Sequence, residues 1–523
     1  MNILNSRVNI KKFLFAVDGS YLYSSSPVVK TGFIRSLSDL SRPVGRVVFG
    51  VRYEQERNRF VNEITDSLAL NSYSFDAGKV YLASSDTSKI RFRFDVSRRY
   101  DYQVRKNDFK RATEADEASG RIDFVGNPKS RLTLAANYRN LVISDTLFST
   151  QKPEESLLNR IEYTAVILKG LFSSTTFYEA GTGQELKREY AFLEVAPGTG
   201  IYTYVGDYNG NGVKDIDEFE IAAFQDQANF VKIFLPTNEY VKTRTNQFNQ
   251  VLSINPAAYF QKQEGWQQII SRFSNQTSFR TENKTLEEDL LKSLNPFGND
   301  VADSLLITTN SALRNTLSFN RSSTVFGMDV TWQDNRSKTL LTNGFESREL
   351  SSFVNNIRWN ISRVYSINVN GENGTKSNRS EFSSNRDYKI KFNSIEPKFS
   401  IQPGISLRNT LLYKYVIKEN VLGEGNEKSE QHTIGVEFKY SSVKQGVLTA
   451  KFNLIEITYN SPENTAIAYE ILEGLKKGRN YTWGLSLQRT LSNSIQVNLN
   501  YEGRKPTGTK VIHTGGVQAR AFF

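Results

Sequence analysis

Apolar and polar residues alternate with a period of two along most of the chain, from about residue 43 to the end. Residues 47–53, 90–96 and 495–502 show the pattern clearly. Because a strand turns successive side chains to opposite faces, each run has one apolar and one polar side. Helical periodicity is limited to two short stretches in connections, 285–293 and 468–477. The pattern predicts an all-β chain.

The alternation predicts about 20 strands, and about 22 if residues 28–37 contribute, since bacterial barrels favour even numbers. The predicted strands lie near 43–57, 72–83, 88–104, 119–126, 131–143, 159–171, 174–180, 245–260, 267–281, 311–320, 325–334, 350–360, 365–372, 387–400, 405–418, 431–440, 447–459, 481–489, 493–502 and 511–523. A change of phase between Leu454 and Ile455 predicts a β-bulge.

The connections between the later strands alternate strictly between short and long. The short ones are 321–324, 361–364, 401–404, 441–446 and 490–492, and the long polar ones are about 281–310, 335–349, 373–386, 419–430, 460–480 and 503–510. Outer-membrane barrels combine short periplasmic turns with longer outside loops, and their strands need about 9–11 residues to cross the bilayer. We therefore expect a transmembrane antiparallel β-barrel of about 20–22 strands with long extracellular loops. The alternative is a soluble, secreted β-sandwich that acts as an adhesin or glycan binder.

Two regions are expected in the chain. Residues 1–42 are interpreted as an N-terminal segment, either a first strand or the remnant of a missing upstream region. Residues 43–523 are interpreted as the barrel, with an insertion at 180–242. The first residues do not resemble an export signal, because Asp18 ends the apolar run 13–17 before it reaches the roughly 7–15 residues of a signal peptide core. The chain is therefore expected to be the later part of a longer exported precursor.

Composition removes several kinds of function. The 523 residues contain no Cys and two His, so thiol chemistry, disulfides and His- or Cys-based metal centres are excluded. The net charge is +11. The basic residues are spread along strands, and this spread disfavours nucleic-acid binding.

One motif has specific chemistry. Residues 207–218, DYNGNGVKDIDE, match the calcium-loop pattern D-x-[DN]-x-[DN]-G-x5-E. The expected ligands are the side chains of Asp207, Asn209, Asn211, Asp215 and Glu218 and the carbonyl of Val213. The flanking residues are not those of an EF-hand, so a single structural Ca²⁺ that stiffens a surface loop is expected. The alternative is an Asn- and Gly-rich turn with solvated acids.

Charged residues on the polar strand faces suggest a second hypothesis. Eight basic residues are placed in the lumen: Arg91, Arg93, Arg131, Arg139, Lys389, Lys391, Arg408 and Lys414. They would favour anionic or polar solutes or a threaded polypeptide. The alternative is charge balance against acids on the same faces: Asp95, Asp123, Glu437 and Glu502.

The two histidines, His432 and His513, are the only candidates for imidazole catalysis. An outer-membrane hydrolase with an active site at the barrel rim would need one of them beside an acid and a nucleophile. The sequence shows no partner spacing for either, so ordinary rim histidines are favoured and no enzyme is expected.

The C-terminal residues resemble those of known barrels. The chain ends in an alternating strand, GVQARAFF, that closes on Phe523. This end resembles the signal by which the barrel assembly machinery recognises Gram-negative outer-membrane barrels. Residues 469–475, 478–483, 501–506 and 513–515 resemble the C-terminus of large, mostly uncharacterised Bacteroidota surface barrels.

The resemblance implies location in the outer membrane and contact with its lipid, and it implies no cargo. Unlike TonB-dependent transporters, the sequence has no plug domain and no TonB box. A separate plug or a surface lipoprotein is therefore an expected partner. The sequence as a whole predicts a channel, a transporter or a secretion component of translocon type.

Overall fold

A single large antiparallel sheet makes up almost all of the structure. The computed structural model describes residues 2–105, 107–145, 153–207, 210–215, 218–260, 264–286, 295, 306–341, 344–381, 386–423, 426–442, 446–492 and 495–521. Its 26 strands belong to one sheet, and each long strand pairs with the next long strand along the chain. The all-β, antiparallel fold class is confirmed.

The strands are numbered in chain order. The first thirteen are β1 (Asn2–Ile10), β2 (Phe13–Ser25), β3 (Val29–Val44), β4 (Val47–Asn62), β5 (Ser67–Leu68), β6 (Tyr73–Ser84), β7 (Ile90–Arg105), β8 (Asp108–Asn127), β9 (Ser130–Ile143), β10 (Glu154–Ile167), β11 (Phe172–Glu194), β12 (Tyr202–Tyr204) and β13 (Phe219–Ile221). The others are β14 (Phe230–Ile254), β15 (Phe273–Thr285), β16 (Leu306–Phe319), β17 (Phe326–Leu341), β18 (Gly344–Asn360), β19 (Tyr365–Ser380), β20 (Tyr388–Ile401), β21 (Leu407–Asn420), β22 (Lys428–Ser442), β23 (Gly446–Tyr459), β24 (Gly478–Ser492), β25 (Ile495–Lys505) and β26 (Ile512–Ala521).

Helices are few and short in the described part of the chain. They are α1 (Ala257–Phe260), α2 (Trp266–Ile270) and α3 (Ala466–Leu472), with 3-10 turns at Leu168–Gly170 and Gln225–Gln227. Among the described residues, no helix has both the length and the apolar character that a membrane span requires.

The twenty predicted strands correspond one by one to β4, β6–β11 and β14–β26. Residues 2–44 add β1, β2 and β3, so the described residues form 23 strands of nine residues or more, and this number exceeds the expected 20–22. The optional strand at 28–37 corresponds to β3, whereas β1 and β2 were missed because the alternation is weak there and Gly and Ser interrupt it. Strands β11 and β14 also continue as a paired hairpin to Glu194 and Phe230, inside the region predicted as the 180–242 insertion.

The predicted bulge at Leu454 and Ile455 is wrong. Strand β23 pairs without a register shift with both neighbours. The apolar phase changes because Leu448, Phe452 and Leu454 lie on the exposed face. Ile455, Ile457 and Tyr459 lie on the opposite face and pack beneath α3.

The alternation of connections is observed, with exceptions. At one edge of the sheet, called the short-turn edge, two to six residues link neighbouring strands, except for residues 255–272, which contain α1 and α2. The longest connections, 195–229, 286–305 and 460–477, lie at the opposite, long-loop edge. Some predicted long loops are shorter there because the strands extend further, and only two residues separate β17 from β18.

One face of the sheet is apolar and exposed. Leu411, Val436 and Phe452 are direct cross-strand partners on β21, β22 and β23, and their side chains are 53%, 50% and 44% exposed. On the same face, aromatic pairs lie near each edge, with Tyr365 stacked on Phe399 at the short-turn edge. Transmembrane barrels show such an apolar band between two aromatic girdles on their lipid side.

The opposite face is polar. Across β15 to β20, one row of direct partners consists of Glu282, Asn310, Ser337, Arg348, Asn378 and Tyr388. No second sheet packs on either face in the described residues, since all strands belong to one sheet. The β-sandwich alternative is therefore not supported.

The sheet curls around its polar face. Residues 220–224 of the 195–229 connection line a cavity together with Arg280 on β15, and Asp226 of that connection forms an ion pair with Arg504 on β25. Ten strand spacings of about 4.8 Å would separate β15 from β25 by roughly 48 Å in a flat sheet. Contact of one connection with both strands requires a strongly curled sheet of barrel type. In the described residues, the pairings end at β1 and β26, which each have one partner.

Candidate functional site

The predicted calcium loop lies in the 195–229 connection at the long-loop edge. Its two ends are β12 and β13, which pair through Tyr202 with Ile221 and through Tyr204 with Phe219. The ring of Phe219 stacks on that of Phe192 at 4.2 Å and meets the edge of Phe230 at 4.8 Å. The loop is therefore closed at its base by a short strand pair and an aromatic cluster.

Asp207 organises the first half of the loop. Its Oδ1 accepts the backbone N–H groups of Gly210 (2.6 Å) and Asn211 (3.2 Å), and its Oδ2 accepts that of Gly212 (2.7 Å). Gly210 and Gly212 have φ of +72° and +74°, the left-handed conformation that favours glycine. The N–H of Gly212 has the largest effect and lowers the pKa of Asp207. Desolvation opposes this effect, and the N–H groups of Gly210 and Asn211 lower the pKa further.

The second half of the loop contains further predicted ligands. Glu218 is completely buried, and its Oε2 accepts the backbone N–H of Asp215 at 3.0 Å. The carboxylate of Asp215 accepts the Asn211 side-chain amide at 2.6 Å, and Asn211 Oδ1 accepts the backbone N–H of Val213 at 2.7 Å. The carboxyl group of Glu218 lies close enough to Asp207 to make a small contribution to the lowering of its pKa.

The structure thus brings together Asp207, Asn211, Val213, Asp215 and Glu218. Asn209 and Phe523 lie outside the described residues. Within the described residues, no group of three or more His, Asp or Glu side chains is arranged to hold a metal ion. In this arrangement an amide nitrogen of Asn211 contacts Asp215, where a calcium loop would place the cation.

The residues after the loop, 219–227, are fastened to the polar face of the sheet and are called the docking segment. Arg386, between β19 and β20, donates from Nε to Glu220 Oε1 (3.0 Å) and from Nη2 to the Phe219 carbonyl (3.0 Å). Arg504 forms an ion pair with Asp226, and its guanidinium lies 4.2 Å from the ring centroid of Phe224. The side chains of Arg386 and Arg504 are only 8% and 7% exposed.

Helix α3 holds the same segment from the 460–477 connection. The Tyr469 hydroxyl accepts the Ala223 N–H at 2.8 Å and donates to Gln227 Oε1 at 3.1 Å. Burial raises the pKa of Tyr469, so this hydroxyl stays neutral at physiological pH. Thr465 caps the helix by accepting the Ala468 N–H.

A small apolar core lies between α3 and the sheet. The buried residues of this core are Tyr388, Ile390, Ile457, Tyr459, Ala468, Ile471, Leu472 and Leu475. Polar contacts surround it: Lys418 Nζ donates to the Ile471 carbonyl (3.1 Å) and to Glu473 (2.6 Å), and Gln431 donates to the same carbonyl (3.0 Å). Both long connections are therefore anchored to the polar face.

A cavity of about 880 Å³ remains between these connections and the strands β15 to β20. Its walls include Arg280, Lys376 and Tyr388, and Phe224 and Tyr469 contribute from the connections. Charges of both signs line it, and several are already paired, as in the ion pair between Lys376 and Glu470. The cavity therefore carries charges of both signs without a strong excess of one.

On the polar face of the N-terminal strands, basic side chains likewise pair with acidic ones. Arg93 pairs with Asp95 at 2.8 Å, and Arg52 pairs at 3.1 Å with the buried Asp39, which also accepts the Tyr81 hydroxyl at 2.9 Å. Of the eight basic residues predicted on the polar face, Lys389 and Lys391 lie on the other face, because the residue between them, Ile390, packs beneath α3. The cationic-lumen hypothesis is thereby weakened.

Both histidines lie on the apolar face among aromatic residues. The Nδ1 atoms of His432 and His513 hydrogen-bond to the hydroxyls of Tyr413 and Tyr501, each at 2.8 Å. The ring of His432 also contacts Tyr415 at 4.8 Å. This environment is that of an aromatic girdle, and it lends no support to the rim hydrolase.

Sequence reasoning missed the residues that hold the docking segment, namely Arg386, Tyr469 and Arg504. No local periodicity marks them. Two of them, Tyr469 and Arg504, lie in the stretches that resemble other surface barrels, and that resemblance is the signal that could have found them.

No family model matches the chain, and no curated protein matches it. Among solved structures it is similar to the siderophore receptor PirA from Pseudomonas aeruginosa, with 9% identity and a TM-score of 0.33 over 99% of this chain and 81% of that one. It is also similar to the outer membrane transporter YddB from Escherichia coli, with 8% identity and a TM-score of 0.35 over 94% and 76%. A third is BauA, the ferric preacinetobactin receptor from Acinetobacter baumannii, with 10% identity and a TM-score of 0.34 over 99% and 77%.

At such identities and TM-scores, the likeness leads to no conclusion about activity. The fold class follows from the strand pairing itself. The molecule is a large, curled antiparallel sheet with an exposed apolar face and with two connections docked on its polar face.

Proposed function

We propose that this chain is an outer-membrane β-barrel that passes polar cargo as a channel, a transporter or a translocon component, without enzymatic activity. One observation carries the proposal: large apolar side chains cover the exposed face of a single curled sheet, while the opposite face is polar. In a soluble protein this apolar surface would be exposed to water, with a free-energy cost of about 25 cal/mol for each Å². Hydrocarbon removes that cost, and the polar lumen explains the low mean hydropathy of −0.47.

The experiment compares two neighbouring residues of β24 that face opposite ways. Leu485 lies on the apolar face with Tyr501 as its cross-strand partner, and Ser486 lies on the polar face opposite Asn500. If Leu485 lies near the bilayer midplane, Leu485→Lys should lower the free energy of unfolding from phospholipid vesicles by about 2–4 kcal/mol. Ser486→Lys should have little effect on this free energy. Equal effects of the two substitutions would exclude a lipid-facing surface at this strand.

Passage of cargo is tested separately. Vesicles that contain the folded protein should swell in solutions of small polar solutes, and empty vesicles should not. Vesicles in which the folded protein admits no solute and carries no ionic current would argue against a transport role.

The calcium loop is the second part of the proposal. Asp207, Asn209, Asn211, Asp215 and Glu218 would supply side-chain oxygens, and Val213 its carbonyl. The support is that Asp207 and Glu218, eleven positions apart, already have adjacent carboxyl groups, one of them fully buried. Ca²⁺ would take the place of the Asn211 amide at Asp215 and offset the buried negative charge.

The expected partners follow from the same proposal. Lipid would contact the apolar face. The barrel assembly machinery would recognise β26 and Phe523, and deletion of Phe523 should then slow assembly in cells. A separate plug or a surface lipoprotein stays a prediction.

A further inference from the structure

Two connections far apart in the chain meet over the polar face of the sheet. The docking segment, 219–227, comes from the connection between β11 and β14, and α3 comes from the connection between β23 and β24. They contact each other through Tyr469, which hydrogen-bonds to Ala223 and Gln227. The two connections therefore form one body on the inside of the curl.

This body is fixed to the wall at separated points. Arg386, just before β20, forms hydrogen bonds with Phe219 and Glu220. Arg504, on β25, forms an ion pair with Asp226. Both guanidinium groups are buried, so movement of the segment would leave two cations without their carboxylate partners. Such uncompensated buried charge is strongly unfavourable.

The apolar core fixes the other half of the body. Ala468 and Ile471 of α3 are fully buried against Ile457 and Tyr459, on the polar face of β23. Apolar residues at these inward positions interrupt the alternation of the strand, and packing beneath α3 accounts for them. The body thus has its own hydrophobic attachment in an otherwise polar lumen.

We propose that the docking segment and α3 form a built-in constriction that narrows the lumen at the long-loop edge, with the ion pairs of Arg386 and Arg504 as its latches. The inference rests on the proposed function, since a constriction limits passage only in a barrel that spans a membrane. It assigns to this chain itself the role that a separate plug would otherwise have. Displacement of the body widens the path for ions and polar solutes.

The latches are tested by single-channel conductance of the folded protein in planar phospholipid bilayers. The double variant Arg386→Met, Arg504→Met removes both charges and keeps long side chains. We expect its conductance in KCl to exceed that of the wild type by at least twofold. Arg121→Met is the matched control. It removes a cation of the polar face that pairs with Asp123 on β8, away from the body, and its conductance should equal that of the wild type.

A second measurement reports on the body without a membrane. The chain has no Cys, so each introduced thiol is unique. Ala228 follows the docking segment and is 3% exposed, and Ala115 on β8 is 5% exposed. In detergent, a polar maleimide should label Ala228→Cys at least tenfold faster in the double variant than in the wild-type background, whereas the labelling of Ala115→Cys should not change.

The outcomes separate the two proposals. Equal conductance of wild type and double variant, with unchanged labelling of Ala228→Cys, overturns the constriction. A wild-type protein that never inserts into bilayers refutes the proposed function instead, and labelling in detergent still decides whether the latches hold the body.

If the double variant does not fold, the two charges of one ion pair are exchanged instead, by the substitutions Glu220→Arg and Arg386→Glu. Each single substitution should then raise conductance, and their combination should restore the wild-type value; no rise with either one overturns the constriction.

Discussion

The attachment of α3 to the sheet can be tested by truncating one buried side chain. Ile471 has no exposed surface and packs in the core that includes Ile457 and Tyr459. Replacement of a fully buried Ile by Ala costs about 2–5 kcal/mol, from lost burial and from the cavity that remains. Since α3 is one short element at the end of a long sheet, the loss should appear as local opening and leave the sheet intact.

Hydrogen exchange measures this opening directly. In the wild type, the amide N–H of Tyr469 donates to the Thr465 carbonyl at 3.0 Å, and that of Gly474 donates to the Tyr469 carbonyl at 3.2 Å. With a loss of about 3 kcal/mol, Ile471→Ala should make these amides exchange on the order of 100-fold faster, since each 1.4 kcal/mol is a factor of ten. Amides in the centre of β23 should keep their wild-type rates.

The control is Ile405→Ala in the turn between β20 and β21, where the side chain is 94% exposed. The same chemical change there should alter no exchange rate of α3. Exchange of α3 amides at wild-type rates in Ile471→Ala would show that the helix is not held by this core. Faster exchange over the whole sheet would show that α3 is not a separate unit.

Three further predictions concern the loop and the polar face. Glu218→Gln should abolish any Ca²⁺-dependent protease resistance of the 195–229 connection. The control is Glu194→Gln, at an exposed acid nearby, and it should preserve this resistance. The same digestion pattern for both variants would contradict the calcium proposal. Because the pKa of Asp207 is lower in the folded state than in the unfolded state, its stabilisation of the loop is complete above the unfolded pKa, near pH 4, and is lost as the pH falls through the folded pKa. Protease resistance measured with an acid-active protease should therefore fall below about pH 4 in the wild type, and in Asp207→Asn this step should be absent. Asp39→Ala should cost about 1–3 kcal/mol in urea-induced unfolding from vesicles, since the buried Tyr81 hydroxyl and the partly exposed Arg52 guanidinium lose their acceptor. A stability equal to that of the wild type would show that these contacts are not maintained in the membrane.

The sheet was predictable because strand periodicity is local. The alternation at residues 495–502 requires only that neighbouring side chains point to opposite faces, and β25 forms there. The short turns were likewise marked by breaks in that pattern. Where the alternation is weak, as in residues 2–25, the strands were not predicted, although pairing with the neighbouring strand is sufficient to form β1 and β2.

The loop chemistry was partly predictable. The spacing of acids, Asn and Gly in residues 207–218 identified a turn that Asp207 organises through backbone N–H groups, and the structure shows those bonds. Whether Ca²⁺ binds there stays a prediction. The attachment of this loop was not predictable, since Glu220 and Arg386 are 166 positions apart, and Asp226 and Arg504 are 278 apart.

The amino-acid sequence by itself determined the strands, their order and the two unlike faces of the sheet, because these depend on contacts between near neighbours and on a period of two. Only the tertiary structure decided what covers the polar face. The curl of the sheet brings β15, β20 and β25 around one space, and the connections that enter it meet residues hundreds of positions away. The apolar residues at the end of β23 break the local pattern for the same reason: their partners lie in α3.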